Sequence, residues 1–123
     1  MARKFSSVQA AVDAIARGEV VIVVDAEDRE NEGDFICAAE KATPEVVNFV
    51  MGGRGEFCVP VRPDICKRLE VWPLVEANTA PRRTAFMTPL DHITARTGIT
   101  AEERSVTVRA IVGPKTGPQE FVR

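Results

Sequence analysis

The period of the hydrophobic positions changes several times along the chain, and each change marks an element. Val8, Ala11, Val12 and Ile15 fall at i, i+3, i+4 and i+7, the spacing of one helical face. Ser6 with Gln9 three residues on has the form of a capping box, and Gly18 supplies a stop, so the pattern predicts a helix over residues 7–17. The unbroken β-branched run at residues 20–24 predicts a strand buried on both faces. Residues 35–39 predict a second, shorter strand. Thr43 followed by Pro44 is an N-cap with proline at the first helical position. It opens a helix through Val46, Val47 and Val50 that stops at Gly52 and Gly53. Residues 57–61 predict a third strand that ends near Pro60, because proline donates nothing to a ladder.

Residues 63–69 predict a short helix. Residues 71–83 hold two prolines, Asn78 and Thr79 and read mostly as loop, and residues 84–88 are a candidate fourth strand. Thr100 with Glu103 is a second capping box, and Gly113-Pro114 closes the segment it opens. Inside that segment Val106, Val108, Ala110 and Val112 alternate as a strand would, while the cap argues for a helix; the helix is favoured. No repeat, low-complexity tract or linker interrupts residues 1–123, which therefore read as a single domain of mixed strands and helices, α/β or α+β.

Composition narrows the class. The chain has 123 residues, 16 basic and 18 acidic, and a net charge of −2, which gives no support to general nucleic-acid binding. No apolar stretch approaches the roughly 18 residues of a membrane helix, and the basic start has no apolar run behind it, so no membrane contact and a cytoplasmic location are expected. Cys37, Cys58 and Cys66 are odd in number and lack a CxxC spacing; with one His in the chain they read as thiols packed as small hydrophobes, not as a zinc set.

Candidate chemistry concentrates in residues 25–34, Asp25-Ala26-Glu27-Asp28-Arg29-Glu30-Asn31-Glu32-Gly33-Asp34, where six acids and one Arg lie between two apolar strands. Two readings stand side by side. One is a solvated acidic turn, the usual fate of like charges. The other is a Mg²⁺ or sugar-phosphate site: the connection is longer than a tight turn, it leaves the end of a predicted buried strand, and one Arg among carboxylates suits an anion while the acids suit a hard cation. The spacing is not that of an EF-hand.

The string from Val23 to Asp34, with its DRENEGD core, resembles the acidic loop of 3,4-dihydroxy-2-butanone 4-phosphate synthases. Further segments match in order: Ala38-Ala39-Glu40 with Ala42-Thr43-Pro44-Glu45, Gly53-Arg54-Gly55 with Cys58-Val59-Pro60, and Val75-Glu76-Ala77-Asn78-Thr79. Thr97-Gly98-Ile99-Thr100-Ala101-Glu102-Glu103-Arg104 and Thr107-Val108-Arg109-Ala110 complete the likeness, which runs from about Val8 to Arg123. It implies an α+β layered sandwich with a mixed β-sheet and flanking helices. It also implies a Mg²⁺-dependent (or Mn²⁺-dependent) lyase of riboflavin biosynthesis, a homodimer that converts D-ribulose 5-phosphate to 3,4-dihydroxy-2-butanone 4-phosphate and formate. Carried over residue by residue, Glu30 resembles the metal-ligating and catalytic carboxylate, and Arg29 and Asp34 resemble substrate contacts. Asp25 and Glu27 resemble acid/base or hydroxyl-binding groups, and Cys58 matches a family cysteine near the site, its other reading being a buried strand thiol. Thr97 resembles a contact to the substrate or its phosphate, or else marks the turn into a helix.

The departures carry information too. Gly52 stands where a His is usual, Glu56 where an aliphatic is usual, Arg83 near a usual Gly, and Arg96 in place of the first Thr of a Thr-Thr-Gly turn. Arg83 and Arg96 are candidate phosphate ligands or signs of relaxed constraint. The family's sequences continue past the point matched by Arg123 into a segment with a His metal ligand in a Gly-His-Thr motif and a catalytic Glu. His92 does not match that motif and reads as a surface or turn histidine. The resemblance therefore implies weak or no turnover by this chain alone. A non-catalytic sugar-phosphate or metal binder, a dimerisation partner of a longer relative, and a remnant with an exposed apolar sheet edge are the alternatives.

Overall fold

Capping chemistry fixes where the helices begin, and a computed structural model describing residues 5–123 shows how. At α1 (Val8–Arg17) the cap is Ser7 rather than Ser6: Ser7 Oγ accepts from the Ala10 N–H at 3.2 Å. The one-residue shift moves Gln9 to the second helical position, where its Nε2 donates to Asp13 Oδ1 at 2.8 Å, one turn on. Gly18 closes the helix at φ +90°, its N–H reaching the carbonyls of Ala14 and Ile15. Thr43 Oγ1 caps α2 (Pro44–Met51) by accepting from Val46 N–H at 3.3 Å. Next comes the short α3 (Pro63–Arg68). The contested C-terminal segment is helical, α4 (Ala101–Val112), with Thr100 Oγ1 accepting from Glu103 N–H at 3.2 Å.

The α+β class stands, and its strands form two separate antiparallel ribbons rather than one mixed sheet among the described residues. β1 (Val21–Val24) pairs with β2 (Gly33–Ile36) in the register Val21↔Ile36 to Val24↔Gly33. β3 (Asp91–His92) pairs with β4 (Phe121–Val122). Residues 57–61 keep a strand's alternation, with Phe57 and Val59 turned inward and Cys58 and Pro60 outward, but they have no ladder. Residues 84–88 contribute one isolated bridge, Met87 to Pro73. Prolines at 60, 73 and 89 withhold the amides a continuous ladder needs. The expectation that β1 is buried on both faces is also corrected: Ile22 is 68% exposed, and Val23 and Val24 are exposed as well. A two-stranded ribbon presents two faces. Here α1 lies against β1, and the Phe49 ring of α2 meets the Phe35 ring of β2 with centroids 5.3 Å apart.

The interior consists of two small apolar clusters, and α4 contributes to both. Val108 packs with Ala42 and Val47, joined by Phe57, Val59 and Met51. Ala110 and Ile111 pack against the cluster of Leu69, Val71 and Phe121. Two polar side chains of α4 go inside with it. Buried Ser105 donates through Oγ to the Ala42 carbonyl at 2.6 Å, and buried Thr107 accepts the His92 N–H through Oγ1 at 2.9 Å. The far end of α4 is closed by Arg68, whose guanidinium donates to the Ile111 carbonyl at 2.9 Å and to Thr116 Oγ1 at 2.9 Å. His92 is therefore a framework residue of β3, set edge-to-face on Phe121, and not the surface or turn histidine expected. No helix among the described residues is long and apolar enough to cross a membrane.

Removing the Ser105 hydroxyl leaves the Ala42 carbonyl buried without its partner. Ser105→Ala is expected to destabilise the fold by about 1–3 kcal/mol in urea unfolding. A change within about 0.5 kcal/mol, the range of a surface substitution, would show that this bond does not seat α4.

Candidate functional site

The acidic stretch is the loop of the β1–β2 hairpin, and one of its own acids organises it. Asp25 Oδ2 accepts the Glu30 N–H at 2.9 Å and Oδ1 accepts the Glu32 N–H at 2.8 Å. Its backbone N–H meets the Glu32 carbonyl at 3.3 Å, and Arg29 N–H bonds the Ala26 carbonyl at 2.9 Å, folding a turn inside the loop. Asn31 takes the left-handed conformation, φ +54°, that lets the chain reverse toward β2. A side-chain carboxylate bonding backbone amides several residues on is the short-range habit of Asp, here stretched over a whole loop.

The hydrogen bonds from Glu32 and Glu30 hold the Asp25 carboxyl below its usual 3.8, with a smaller contribution from the Arg29 guanidinium, whose Nη1 lies 3.5 Å from Oδ2. Asp25 is thus committed as an anion inside the loop, at 15% side-chain exposure, while Arg29 remains 57% exposed beside it. Glu27, Glu30 and Asp34 are exposed, and among the described residues no hydrogen bond or ion pair engages their carboxylates. Asp34 sits in β2 opposite Val23, as the second residue of that strand. The sequence suggests a loop leaving a buried strand, as ligand loops of open parallel sheets do; it joins an antiparallel hairpin instead, since β2 follows directly.

A second cluster lies around the first turn of α4. Thr97, in the turn before the helix, donates through Oγ1 to Glu103 Oε2 at 3.1 Å, and Arg96 N–H donates to Glu103 Oε1 at 2.6 Å. The bond from Arg96 is the largest of the effects that lower the Glu103 carboxyl below its ordinary range. Arg104 donates to the Ile99 carbonyl at 3.1 Å and lies 5.3 Å over the Phe57 ring, next to Cys58. Cys58 is exposed, so its reading as a buried strand thiol is corrected: the alternation of residues 57–61 turns it outward. Cys37 and Cys66 are half-buried, as packed thiols should be, and burial pushes the Cys37 thiol up.

Asp25, Glu27, Arg29 and Glu30 therefore share one loop with Asp34 at its edge, while Cys58 and Thr97 gather at α4. Among the described residues no hydrogen bond or ion pair joins the two groups. A link in another direction has no counterpart in the sequence reading. Arg82 Nη2 donates to the Arg29 carbonyl at 2.6 Å, docking the loop of residues 78–84 against the acidic hairpin. That loop is shaped by Asn78, which donates to the Thr84 carbonyl and accepts from the Ala80 N–H, both at 2.9 Å. Arg83 occupies a left-handed position, φ +55°, which explains why glycine is at home near this point of the pattern. Sequence carries a signal for Asn78, a turn former among prolines, but none for Arg82, whose partner is a carbonyl far along the chain.

Exposed carboxylates are hard oxygen donors, and Mg²⁺ accepts one or two of them while keeping several waters. No group of three His, Cys, Asp or Glu side chains able to hold a metal occurs among the described residues. The donor set fits such an ion in chemistry and is partial in number.

Comparison with known proteins gives these features a context. The family model for 3,4-dihydroxy-2-butanone 4-phosphate synthase matches residues 9–123. The chain is 51% identical over 120 residues to the riboflavin biosynthesis protein RibBA of Bacillus subtilis, and 48% identical over 123 residues to that of Cytophaga hutchinsonii. These matches take in 97% and 98% of the chain but 30% of each relative, so the chain spans less than a third of their length. A crystal structure of 3,4-dihydroxy-2-butanone 4-phosphate synthase in complex with two magnesium ions superposes with a TM-score of 0.93 at 34% identity, over 97% of this chain and 56% of that one. The two-domain synthase RibBX of A. baumannii gives a TM-score of 0.88 at 37% identity, over 96% of this chain and 35% of that one.

The Asp25 bonds make a pH prediction whose sign is fixed. Its carboxyl titrates lower in the folded loop than in the unfolded chain, so its ordering effect is complete above about 4 and is lost as pH falls through the depressed value. Amide exchange at Glu30 and Glu32 is expected to be slow relative to Ala26 at neutral pH and to lose that protection as pH falls below the ordinary aspartate range. Asp25→Asn is expected to lose it at neutral pH as well; unchanged protection in Asp25→Asn would show that the loop is held by something else.

Proposed function

Because the chain belongs to the 3,4-dihydroxy-2-butanone 4-phosphate synthase family, we propose that it binds D-ribulose 5-phosphate with Mg²⁺ or Mn²⁺ at the acidic hairpin loop. There it serves the conversion to 3,4-dihydroxy-2-butanone 4-phosphate and formate in riboflavin biosynthesis. The observation that carries this reading is the loop itself: Asp25 spends both carboxylate oxygens on the Glu30 and Glu32 amides, which leaves Glu30 free on a fixed backbone beside Arg29. Holding a reactive group on a pre-ordered turn removes part of the ordering cost at binding.

Each part of the chemistry has a matching group. A proton must leave carbon for the ketose to enolise, and five carbons must become four plus one. Those steps place negative charge on substrate oxygens, and a bound divalent cation supplies Lewis-acid stabilisation of that charge. Glu30 is the ligand for the cation. Arg29 pairs with a substrate anion or polarised oxygen through a guanidinium that stays charged. Glu27 is exposed with no partner among the described residues, so it is available to take or return a proton, and Asp34 accepts from a sugar hydroxyl. Asp25 is a positioning residue rather than the acid or base, because a carboxylate already accepting two amide hydrogen bonds holds its charge and has little basicity left. Cys58 and Thr97 contact the substrate from the α4 side. A homodimer belongs to the same proposal, supported by the apolar side chains of Ile22, Val24 and Phe35 that the hairpin leaves exposed.

The partial donor set favours a second reading, a chain that binds sugar phosphate and metal without turning substrate over. Calorimetry with ribulose 5-phosphate and Mg²⁺, followed by a formate assay, separates the two. Metal-dependent binding is expected, weakened at least about tenfold by Glu30→Gln and lost with EDTA. Formate release that also depends on Glu30 assigns turnover to this chain, and binding without formate assigns the second reading. Binding indifferent to both EDTA and Glu30→Gln would overturn the site.

A further inference from the structure

One peptide group joins Arg29 to Glu30, and it is held at both poles. Its N–H, that of Glu30, donates to Asp25 Oδ2 at 2.9 Å. Its carbonyl, that of Arg29, accepts from Arg82 Nη2 at 2.6 Å. A trans peptide unit is rigid, with N–H and C=O pointing opposite ways, so the two bonds grip it from opposite sides. The ψ of Arg29 and the φ of Glu30 are the only soft backbone dihedrals between these two side chains. Turning the plane between them would break both bonds at once.

The two holders differ in origin. Asp25 belongs to the loop it organises, whereas Arg82 arrives from 53 residues away, on an arm with its own framework. At the root of the arm Leu74 N–H meets the Phe86 carbonyl at 2.9 Å and Thr88 N–H meets the Trp72 carbonyl at 2.8 Å, on either side of the Pro73–Met87 bridge. Met87 packs on the buried cluster of Leu69, Val71 and Phe121, which ties this root to the interior. At the tip, the Asn78 bonds are joined by one from the Arg83 N–H to the Ala80 carbonyl at 2.9 Å. An Arg carried on so closed a tip has less freedom to lose in making its bond. Six acids lie in the loop beside it, yet among the described residues the Arg82 guanidinium forms no ion pair with any of them; it bonds the backbone instead.

We propose that Arg82 is a positioning residue for the acidic loop: by clamping the Arg29–Glu30 peptide against Asp25, it presets the Glu30 carboxylate for a divalent cation and the Arg29 guanidinium for the substrate. This rests on the proposed reading of the loop and deepens it by naming a residue outside the loop on which its geometry depends. The charge of Arg82 acts in the contrary sense, since a guanidinium near the carboxylates repels a divalent cation. Positioning and simple charge therefore predict opposite signs when Arg82 is removed.

Calorimetry on the full chain, with MgCl₂ alone and then with ribulose 5-phosphate at saturating Mg²⁺, reads that sign. Arg82→Ala is expected to weaken both about fivefold, the loss of one hydrogen bond to an ionised donor. Arg82→Lys keeps a donor long enough to reach the carbonyl and is expected to bind within about twofold of the parent, a conservative rescue. Hydrogen exchange supplies a local signature: the Glu30 amide speeds up in Arg82→Ala, while the Glu32 amide, held by the other Asp25 oxygen, keeps its protection. Mg²⁺ affinity that is unchanged or tighter in Arg82→Ala, while Glu30→Gln still weakens it, overturns this inference alone. Should Arg82→Ala prove unfolded by circular dichroism, Arg82→Lys against the shorter Arg82→Gln decides, with equal affinities as the contrary result. Mg²⁺ binding indifferent to Glu30→Gln, or no saturable binding by the parent chain, overturns the reading of the loop and this inference with it.

Discussion

The hydrogen bond from Ser105 to the Ala42 carbonyl, made in the interior beside Val47 and Val108, allows α4 only one rotation about its axis. A helix seated by apolar contacts alone slides and turns at little cost, whereas a buried hydroxyl must find its acceptor or lose about 1–3 kcal/mol. Once that rotation is set, Thr107 faces the His92 amide, Glu103 faces the Arg96 amide, and Arg104 lies over Phe57. The segment carrying Thr97 and the segment carrying Cys58 are both positioned from this one helix. The two small clusters of the interior meet it as well.

The hairpin loop answers a different constraint, the repulsion among six carboxylates within ten residues. Its solution is internal. One acid, Asp25, turns inward and is neutralised by backbone N–H dipoles, and Arg29 stays alongside. The remaining acids face outward with their oxygens unspent, and Arg82 buttresses the loop through the Arg29 carbonyl. Like charges at this density repel, and the cation proposed to bind here would relieve that repulsion.

Much of this is legible in the sequence because it is local. The caps at Thr43 and Thr100, the glycine stop at Gly18 and the helical period of α1 depend on neighbours within one turn, and the structure has them. The cap of α1 lies one residue from its expected place because two serines compete for the same role. Strands are legible as runs but not as partners: residues 20–24 look like a buried strand, yet β1 is exposed, since burial depends on what covers a ribbon. The DRENEGD pattern locates the acidic loop and resembles its family. It does not reveal that Asp25 holds the loop together, nor that Glu103 reaches four residues past its cap. Arg82 and Ser105 are invisible in the sequence, because their partners are backbone carbonyls 53 and 63 residues away, and a carbonyl carries no sequence signature.

One pre-ordered acidic loop and one α4-held turn are thus proposed to serve a single sugar-phosphate site. The most direct measurement follows the backbone amides of the isotopically labelled chain by NMR as Mg²⁺ and then ribulose 5-phosphate are added. Mg²⁺ is expected to move the amides of residues 25–34 alone. The sugar phosphate should then move those and residues 96–98 together, with one dissociation constant. Saturable shifts confined to either group, or separate constants for the two, would contradict a shared site.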